Sequence, residues 1–574
     1  MHERKFRDPV HDYIPVSQKL CQFIDTPHFQ RMKRIKQLGT SYWVFPGGSH
    51  NRFEHCLGVA HLARLMASTL RTRQPKLGIT DRDIDCVEIA GLCHDLGHGP
   101  WSHVWDSIFI PLAQKLTPRP NIPLNWKHED ASEMMLDDLM ATQNITGVGD
   151  DEVKFIKGLI AGDHSRTPHE KRFLFDIVAN KRNGLDVDKL DYIARDSHQV
   201  GIGKNVWWTR LLATARVIDD QICYNVKDSY NVLSVFAARF NLHKLVYSHK
   251  TAKAIEYMLI DALLAAEPHM KIAERINDPK QFMHLTDSIM EEIERSTQPE
   301  LQHSRDIMAR ITRRDLYRTV DYRLFRWGLK GKLYQWFTPD TIAAAAKEVP
   351  GVDPDRIAKL RAEDILVDVS SMHHGMGDKN PLDRVKFWSK QKPNESHHAG
   401  SLVSSTVTPK EYGEVLLRIY TRNPSFYGIV QAGYRRVLDR FSEENVLDTD
   451  VPVTPLEGPS SALTPPATEA ANTPRGSFAD LFIFGEDEPS GSSLSRKGSS
   501  GIIAGSDPST PKPTTQETRT KRTFGRVASA QNPFSSVPLN STAPTPLPKS
   551  EGRSRKRGGD DMNHGSPPPK RIAS

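Results

Sequence analysis

Cysteine is scarce in this sequence, and long apolar runs are missing from it. Only five cysteines occur in 574 residues, and no two of them form a CxxC pair. An odd count without that spacing argues against a disulfide framework or a zinc ribbon and favours a reducing compartment. No run approaches the ~20 apolar residues that span a bilayer, and the N-terminus, MHERKFRDPVHDY, is charged. We therefore expect a soluble intracellular protein without a secretion signal or a membrane anchor.

The chain also has little excess charge of either sign. It carries 77 Lys and Arg against 70 Asp and Glu, which leaves a net charge of +7. This surplus is too small for a protein whose whole surface coats nucleic acid, so any basic function is local. At ~100 to 200 residues per domain, the length allows three or four domains and a large buried core.

Tryptophan is absent after position 388, whereas residues 451–574 contain 18 of the 39 prolines. Such Ser/Thr/Pro/Gly-rich sequence lacks the apolar surface that offsets the entropy of ordering, so we expect this tail to be disordered. The predicted domains are a main helical domain at 1–300, a C-terminal α+β lobe at 301–450 and the tail at 451–574.

Apolar residues spaced three and four apart predict helices throughout the main domain. The clearest are FEHCLGVAHLARLMASTL at 53–70 and DIDCVEIAGLCHDL at 83–96. The same pattern recurs at 172–182, 186–197, 231–249 and 251–266. Strand-like runs appear only later, at 365–371 and 384–390, before a helix-like stretch at 411–420. The predicted fold class is mainly α, with a helical core and a small α+β lobe.

Three segments carry residues that indicate a catalytic or metal-binding site: NRFEHCLG at 51–58, GLCHDLGHGPWSH at 91–103 and NGLDVDKLDYIARD at 183–196. A His-Asp dipeptide alone is a weak signal, because His11-Asp12 also spells it in a segment without helical periodicity. His94-Asp95 differs because it ends an apolar helix that glycines terminate, and helix ends lie open to substrate. Two imidazoles and two carboxylates from separate helices form an N2O2 set suited to a divalent transition metal: His55, His94, Asp95 and Asp188. A core would not bury so many ionisable groups unless they were paired or bound a metal.

These segments resemble the HD-domain phosphohydrolases, and among them the eukaryotic deoxynucleoside triphosphate triphosphohydrolases that join a SAM domain to the HD domain. The resemblance begins at FRDPVHDYI (6–14), includes IDTPHFQRMKRIKQLG (24–39) and NLHKLVYSHK (241–250), and extends to about residue 425. It implies an HD-domain fold and a metal-dependent hydrolase that converts a dNTP and water into a deoxynucleoside and triphosphate. Because it starts almost at Met1, we expect no SAM domain before it.

The resemblance also implies roles for individual residues. His55, His94, Asp95 and Asp188 match the metal ligands, and the metal expected there is Fe, Zn, Mn or Mg. His103 matches the proton donor to the leaving 5′-oxygen. Four further residues match active-site histidines and the carboxylates that orient them: His98, His128, Asp106 and Glu129. Nine residues match contacts with the phosphates or the deoxyribose of the substrate: Gln37, Leu38, Arg52, Lys189, Tyr192, Asp196, Arg239, His243 and Tyr247.

The family is activated by GTP or dGTP and by dNTPs that bind between the subunits of a tetramer, so the resemblance implies a homotetramer with an N-terminal regulatory segment. Five residues match the guanine-nucleotide site: Arg4, Lys5, Asp25, Gln30 and Lys33. Five are candidates for the neighbouring deoxynucleotide site: Val44, Arg210, His249, Lys250 and Arg314. Lys33 stands where the family has arginine, which keeps the charge but removes planar stacking on a purine.

The tail carries two short basic clusters, RSRKR (553–557) and PPPKR (567–571), which are typical of a nuclear-import signal. We expect a nuclear protein, with the cytoplasm as a second compartment; a solvated charge run or weak contact with single-stranded nucleic acid is the alternative. Two other functions stay open. One is an HD-type phosphodiesterase or nuclease with the same metal site, and the other is a non-catalytic nucleotide-sensing or nucleic-acid-binding scaffold.

Overall fold

The computed structural model describes residues 3–118, 126–203, 206–351, 354–400 and 409–444. Within these ranges helices predominate, which confirms the mainly α fold class, and the strands form three small sheets. The α-helices are α1 (Gln18–Ile24), α2 (Pro27–Gln30), α3 (Arg52–Arg73), α4 (Asp81–Cys93), α5 (Ile110–Leu116), α6 (His128–Thr142), α7 (Asp150–Ala161), α8 (Phe175–Val178), α9 (Val187–Val200), α10 (Trp208–Thr214), α11 (Ser229–Leu242), α12 (Lys250–Met270), α13 (Pro279–Phe282), α14 (Ile289–Arg295), α15 (Gln302–Thr312), α16 (Lys330–Trp336), α17 (Pro339–Ala346), α18 (Pro354–Lys359) and α19 (Tyr427–Glu444). The strands are β1 (Arg4–Asp8), β2 (Asp12–Val16), β3 (Arg216–Ile218), β4 (Gln221–Asn225), β5 (Arg318–Arg326), β6 (Ile365–His373), β7 (Lys386–Trp388), β8 (His397–His398) and β9 (Gly413–Thr421).

Helices α3 and α4 form the centre of the larger core, and the predictions of helices at 53–70 and 83–96 are confirmed. Thr80 begins α4 with a capping box, in which Thr80 and Asp83 each accept the other's backbone N–H at 3.2 and 2.8 Å. The two helices pack against each other, with α9 on α3 and α7 on α4. This packing brings the first turns of α3 beside the residues that follow α4.

The predicted helix at 411–420 is wrong, because Gly413–Thr421 is strand β9. It is the central strand of an antiparallel sheet in the order β5-β9-β6. Leu417 and Ile419 belong to a second core with α17 and α19, while Arg418 and Tyr420 bond to carbonyls at the start of α12. Because both faces are buried, apolar and polar residues do not alternate, and periodicity cannot separate such a run from a buried helix.

The strands predicted at 365–371 and 384–390 are confirmed as β6 and β7, although they lie in different sheets. β7 pairs in parallel with β4 of the main helical part and antiparallel with β8. Only the first part of 172–182 is helical, a 3₁₀ turn followed by α8. The Asn180 side chain then accepts the N–H groups of Arg182 and Asn183, which ends the helix in a turn.

Among the described residues, no helix combines the length and the apolar character that crossing a membrane requires. The tail predicted at 451–574, with its basic clusters, lies outside the described residues.

Candidate active site

The four predicted metal ligands converge where α3, α9 and the end of α4 meet. His55 Nε2 lies 3.1 Å from Asp188 Oδ1 and 3.6 Å from Asp95 Oδ2. His94 Nε2 lies 3.3 Å from Asp95 Oδ1 and 3.5 Å from Asp188 Oδ1. Donor atoms of His55, His94 and Asp95 all lie within 4.8 Å of one another. The structure therefore brings together, from three distant stretches of sequence, the donors that one cation needs.

Hydrogen bonds on the far side of each imidazole direct Nε2 towards this cluster. Nδ1 of His94 donates to Gly91 O at 2.8 Å, and Nδ1 of His55 donates to Asp191 Oδ2 at 2.8 Å. Nε2 of His94 is buried and completes no hydrogen bond with any residue that the structure describes. Since the tautomer with Nδ1–H leaves a lone pair on Nε2, both histidines are prepared as metal ligands. The residues present fit a divalent cation with an N2O2 ligand set.

The electrostatics of the cluster are dominated by ionised carboxylates. Burial raises the pKa of Asp95, but the Arg52 guanidinium and the imidazoles beside it outweigh burial and hold that pKa well below its ordinary range. Burial lowers the pKa of His55, but hydrogen bonds with Asp188 and Asp191 outweigh it and raise the pKa to about 10. The cluster thus favours positive charge, whether on an imidazole or on a cation.

Arg52, predicted to contact phosphate, is buried and already has two partners. Its Nη1 pairs with Asp95 Oδ2, and its Nε donates to Ser102 Oγ at 2.9 Å. The side chain is therefore held against the ligand cluster by one of the ligands themselves.

The sequence reasoning missed Asp191, which supports His55 from behind. Its Oδ1 also accepts from His11 Nε2 at 2.6 Å, and Arg195 donates to both of its oxygens at 2.9 and 3.0 Å. Asp191 approaches α3 closely at Gly58, where an added Cβ would lie 1.9 Å from Asp191 Oδ1. His11, which served as the example of an uninformative His-Asp pair, is thus part of the site's supporting network. The only sequence signal for His11 is the resemblance of segment 6–14 to the family, since no helical pattern of apolar residues surrounds His11.

The predicted catalytic histidines form a second group beside the first. The rings of His98 and His128 stack at 3.9 Å between centroids, and His128 Nδ1 lies 2.5 Å from Asp106 Oδ2. His103 Nδ1 is 3.6 Å from Asp106 Oδ1, and its side chain is 70% exposed. Glu129 Oε2 lies 3.6 Å from His128 Nδ1. The two groups adjoin, because His98 Nε2 lies 3.4 Å from Asp95 Oδ1.

Burial and the charges of Arg52 and His128 lower the pKa of His98 well below its ordinary value, so His98 is neutral. Burial raises the pKa of Asp106, but hydrogen bonds with His103 and His128 outweigh it and lower that pKa. Asp106 is therefore an ionised acceptor that orients two imidazoles. It lies in a π-helical turn, Trp105–Phe109, a backbone form frequent at functional sites.

Lys189, Tyr192 and Arg239 provide positive and polar groups close to Asp188 of the ligand cluster. Lys189 Nζ lies 3.2 and 3.3 Å from the two oxygens of Asp186. Burial lowers the pKa of Lys189, but Asp186 outweighs it, and the pKa is raised, so the ammonium stays charged. Burial raises the pKa of Tyr192, and the positive charges of Arg239 and Lys189 oppose the rise. Arg239 Nη1 donates to His373 O at 2.5 Å. A cavity of about 200 Å³ lies along Asp188 and Lys189 and reaches His94 and His128.

Asp196 and Tyr247 are in direct contact, as expected for a pair that recognises one sugar. The Tyr247 hydroxyl donates to Asp196 Oδ2 at 2.5 Å, and the His243 ring packs edge-on against Tyr247 at 4.9 Å. His50 Nε2 bonds to the other oxygen of Asp196 at 2.8 Å. His50 is a further residue of this site that the sequence reasoning missed.

Gln37 and Leu38 lie on the segment that runs beside His50. The Gln37 N–H donates to His50 O at 3.0 Å, and Leu38 packs on the main core. Gln37 Oε1 is buried and has no hydrogen-bond partner among the described residues. Such an atom is a natural acceptor for a ligand hydroxyl.

Four of the five residues predicted for guanine-nucleotide regulation, Arg4, Asp25, Gln30 and Lys33, lie in a small and largely exposed cluster. Arg4 pairs with Asp25 through two bonds of 2.6 and 2.7 Å, and Lys5 follows Arg4 in β1. Lys33 Nζ donates to Gln30 Oε1 at 2.7 Å and lies 4.5 Å from the centre of the Phe53 ring. Lys33 also contributes to the lowered pKa of Asp25, after the hydrogen bond from Arg4.

Most of the second regulatory set also clusters. Arg314 Nη1 donates to Trp43 O at 3.1 Å, next to Val44, and the Phe45 ring packs edge-on against His249. Lys250 begins α12 directly after His249. Arg210 instead pairs with Asp228.

The helical fold and its His/Asp centre define an HD-domain protein. An HD domain matches residues 52–196, and an HD associated region matches residues 206–379. The chain belongs to the family of SAMHD1-type deoxynucleoside triphosphate triphosphohydrolases. It is 39% identical to deoxynucleoside triphosphate triphosphohydrolase SAMHD1 of Homo sapiens over 447 residues, which cover 72% of this chain and 70% of the human protein. It is 37% identical to the SAMHD1 homolog of Dictyostelium discoideum over 431 residues, 75% of this chain and 80% of that protein.

Proposed function

We propose that this chain is a metal-dependent deoxynucleoside triphosphate triphosphohydrolase that converts a dNTP and water into a deoxynucleoside and inorganic triphosphate. The observation that carries the proposal is the convergence of His55, His94, Asp95 and Asp188 beside the second group of histidines and the charged Lys189. The similarity to SAMHD1 proteins of other organisms supports the substrate class.

The four ligands would hold a divalent cation, which supplies a Lewis acid that makes hydroxide available near neutral pH. Lys189 and Arg239 would neutralise phosphate oxygens, because a triphosphate carries close to four negative charges and neither side chain needs to be deprotonated. Lys189 lines the cavity beside Asp188, so the α-phosphorus would lie between Lys189 and the ligand cluster.

His103 is the proposed proton donor to the 5′-oxygen of the leaving nucleoside. Asp106 lies nearest to its Nδ1, which leaves Nε2 for the leaving group. Its exposure suits a group that must reach a substrate, whereas His98 and His128 are more buried and would contact the phosphates. Glu129 would assist Asp106 in orienting His128.

Asp196 and Tyr247 would recognise deoxyribose. Asp196 would accept from the 3′-hydroxyl while the Tyr247 ring packs against the 2′ carbon and leaves no room for a 2′-hydroxyl. His50 would hold the Asp196 carboxylate, and Gln37 Oε1 would accept from the base or the sugar.

Product analysis by mass spectrometry tests this proposal. The full chain is incubated with each of the four dNTPs in the presence of Fe²⁺, Mn²⁺, Zn²⁺ or Mg²⁺, with and without GTP. We expect the deoxynucleoside and tripolyphosphate in equal amounts. Pyrophosphate with a mononucleotide, or cleavage of cyclic nucleotides or single-stranded RNA, would instead identify a phosphodiesterase or nuclease. Nucleotide binding without turnover would identify a scaffold.

We also propose that GTP or dGTP and a dNTP activate the enzyme through a tetramer. The clustering of Arg4, Asp25 and Lys33 supports the first site, and the contacts of Arg314 and His249 beside Val44 support the second. Mass photometry with and without these nucleotides tests the proposal, and a particle mass that nucleotides do not change contradicts it.

A nuclear location is proposed from the basic clusters at 553–557 and 567–571. Deleting residues 451–574 from a fluorescent fusion should spare dNTP hydrolysis and reduce nuclear accumulation. Nuclear entry that is unchanged in the truncated protein would contradict the proposal. Binding of single-stranded nucleic acid that the deletion abolishes would favour the alternative reading of these clusters.

A further inference from the structure

The turn that leads into His103 has an unusual backbone. Trp101 and Ser102 both have positive φ angles, 52° and 58°. Two consecutive residues with side chains rarely adopt this left-handed conformation, and it persists only where surrounding groups hold it in place. The groups that hold this turn therefore determine where His103 lies.

Asp287 bonds to this turn from a distant part of the chain, just before α14. Its Oδ1 accepts the Trp101 N–H at 2.7 Å, and its Oδ2 accepts the Lys36 N–H at 2.9 Å. Its own N–H donates to Arg34 O at 3.1 Å. One carboxylate thus joins the segment that leads to Gln37 to the turn that leads to His103.

A second contact ties the same two segments together. Ser102 Oγ donates to Lys36 O at 2.9 Å and accepts from Arg52 Nε at 2.9 Å. The segments also touch at Gly39, where an added Cβ would lie 2.8 Å from Trp101 O. The turn is therefore held from both sides, and Asp287 supplies the bond to Trp101.

Both partners of the Asp287 carboxylate are backbone N–H groups, and within the described part of the chain no side-chain cation forms an ion pair with it. Burial raises the pKa of Asp287 to about 6, although the two N–H groups and the positive charges of Lys36 and Arg31 oppose the rise. At neutral pH the group is ionised, and both oxygens can accept. The arrangement suits a group that fixes backbone, and the chemistry proposed for this site does not otherwise use it.

We propose that Asp287 is a positioning residue for hydrolysis, which holds the Trp101–Ser102 turn so that His103 remains beside Asp106 and within reach of the leaving oxygen. The same carboxylate aligns the segment that carries Gln37 and Leu38, so proton donation and sugar recognition share one anchor. This inference rests on the proposed function.

The first test compares Asp287→Asn with the wild-type full chain. The asparagine has the same shape but only one acceptor oxygen, so one of the two N–H groups loses its partner. We expect kcat to fall about 10- to 100-fold, the loss typical of a slightly misplaced catalytic group. KM for the dNTP should rise by a smaller factor, because the segment that carries Gln37 and Leu38 is loosened as well, while the metal content stays near the wild-type value. Asp278→Asn is the matched control, since Asp278 is a half-buried carboxylate earlier in the same part of the sequence that caps α13 by accepting the Lys280 N–H at 3.0 Å.

Amide hydrogen exchange provides a readout that does not depend on turnover. In Asp287→Asn, peptides covering 34–38 and 99–104 should exchange faster, while the middle of α3 should keep its protection. Asp287→Glu, which keeps the charge but displaces both oxygens, should show the same local change if Asp287→Asn does not fold. An unchanged kcat, loss of metal together with kcat, or faster exchange throughout the chain would overturn the inference. A wild-type chain that does not hydrolyse dNTPs would refute the proposed function, and the exchange pattern would still decide whether Asp287 holds the turn.

Discussion

The metal-ligand cluster and the Arg4–Asp25 pair are both built from opposite charges, but they differ in their exposure to water. The side chains of His55, Asp95, His94 and Asp188 are 1%, 7%, 12% and 30% exposed, whereas those of Arg4 and Asp25 are 43% and 52% exposed. A buried charge must be matched by fixed partners, because leaving one unpaired in the interior is very costly. An exposed ion pair contributes at most about 1 kcal/mol, so its members can exchange partners for a ligand. The metal-ligand cluster is therefore suited to hold reacting groups in fixed positions, and the Arg4–Asp25 pair is suited to bind a ligand reversibly.

The largest effect is expected where a ligand of the buried cluster is removed. His94→Ala and Asp95→Ala should each lower dNTP hydrolysis by about 10³-fold or more, because neither the cation nor the hydroxide it supplies can be held. Metal content measured by atomic emission should fall in parallel. His169→Ala is the matched control, since the His169 side chain is 73% exposed. Full activity in a mutant depleted of metal would contradict the assignment.

A smaller effect is expected from the supporting carboxylate. Asp191→Asn weakens the bond that orients His55, so metal affinity should fall about 10- to 100-fold, and excess metal should restore much of the activity. Calorimetric titration of the metal-free chain measures this affinity, with Asp137→Asn at the surface as the control.

Because Asp191 also pairs with the buried Arg195, the Asn variant can be poorly folded. His11→Asn removes only one bond to Asp191 and should show a weaker loss of the same kind. Unchanged metal affinity in both folded variants would mean that Asp191 only fills space.

Replacing Tyr247 should change the selectivity for deoxyribonucleotides over ribonucleotides and leave metal binding unchanged. Tyr247→Ala opens space beside the 2′ carbon, so the ratio of kcat/KM for dGTP to that for GTP should fall about 10- to 100-fold. Tyr230→Ala serves as the control, because Tyr230 is 71% exposed. A ratio that does not change would refute the role proposed for Tyr247.

The smallest effect on stability is expected in the exposed region. Arg4→Ala should change the free energy of unfolding by less than about 1 kcal/mol, yet raise the GTP concentration for half-maximal activation about 10-fold, since charge-assisted bonds to a bound nucleotide would be lost. Arg7→Ala in the same strand, where Arg7 pairs with Asp12, is the control. Equal shifts in the two variants would contradict a specific guanine-nucleotide site.

The Arg4–Asp25 pair should also make the stability of the protein depend on pH. Arg4 lowers the pKa of Asp25 in the folded protein, so the stability that the pair contributes is present at neutral pH. It is lost as pH falls below the ordinary aspartate pKa of about 3.9 and through the lowered one. In Arg4→Ala this part of the acid sensitivity should be missing from urea unfolding curves.

The sequence predicted the helices that build the site because their periodicity is local and strong. It also grouped the four ligands into one set, since each stands in a recognisable motif on one of those helices or directly after it. It failed for β9, whose residues are buried on both faces. It also failed for His50 and Asp191, because the value of these residues depends on a partner from another part of the chain.

Local pattern was therefore enough to predict the mainly helical core and to select His55, His94, Asp95 and Asp188 as a set of metal ligands, while the family resemblance supplied the expected reaction. Only the tertiary structure decided that His11 supports Asp191 across 180 residues and that Asp287 bonds to Trp101 across 186. The physical reason is that a helix or a ligand motif is encoded by neighbours in sequence. A buried hydrogen-bond partner is selected by packing, which joins residues whose separation along the chain carries no signal.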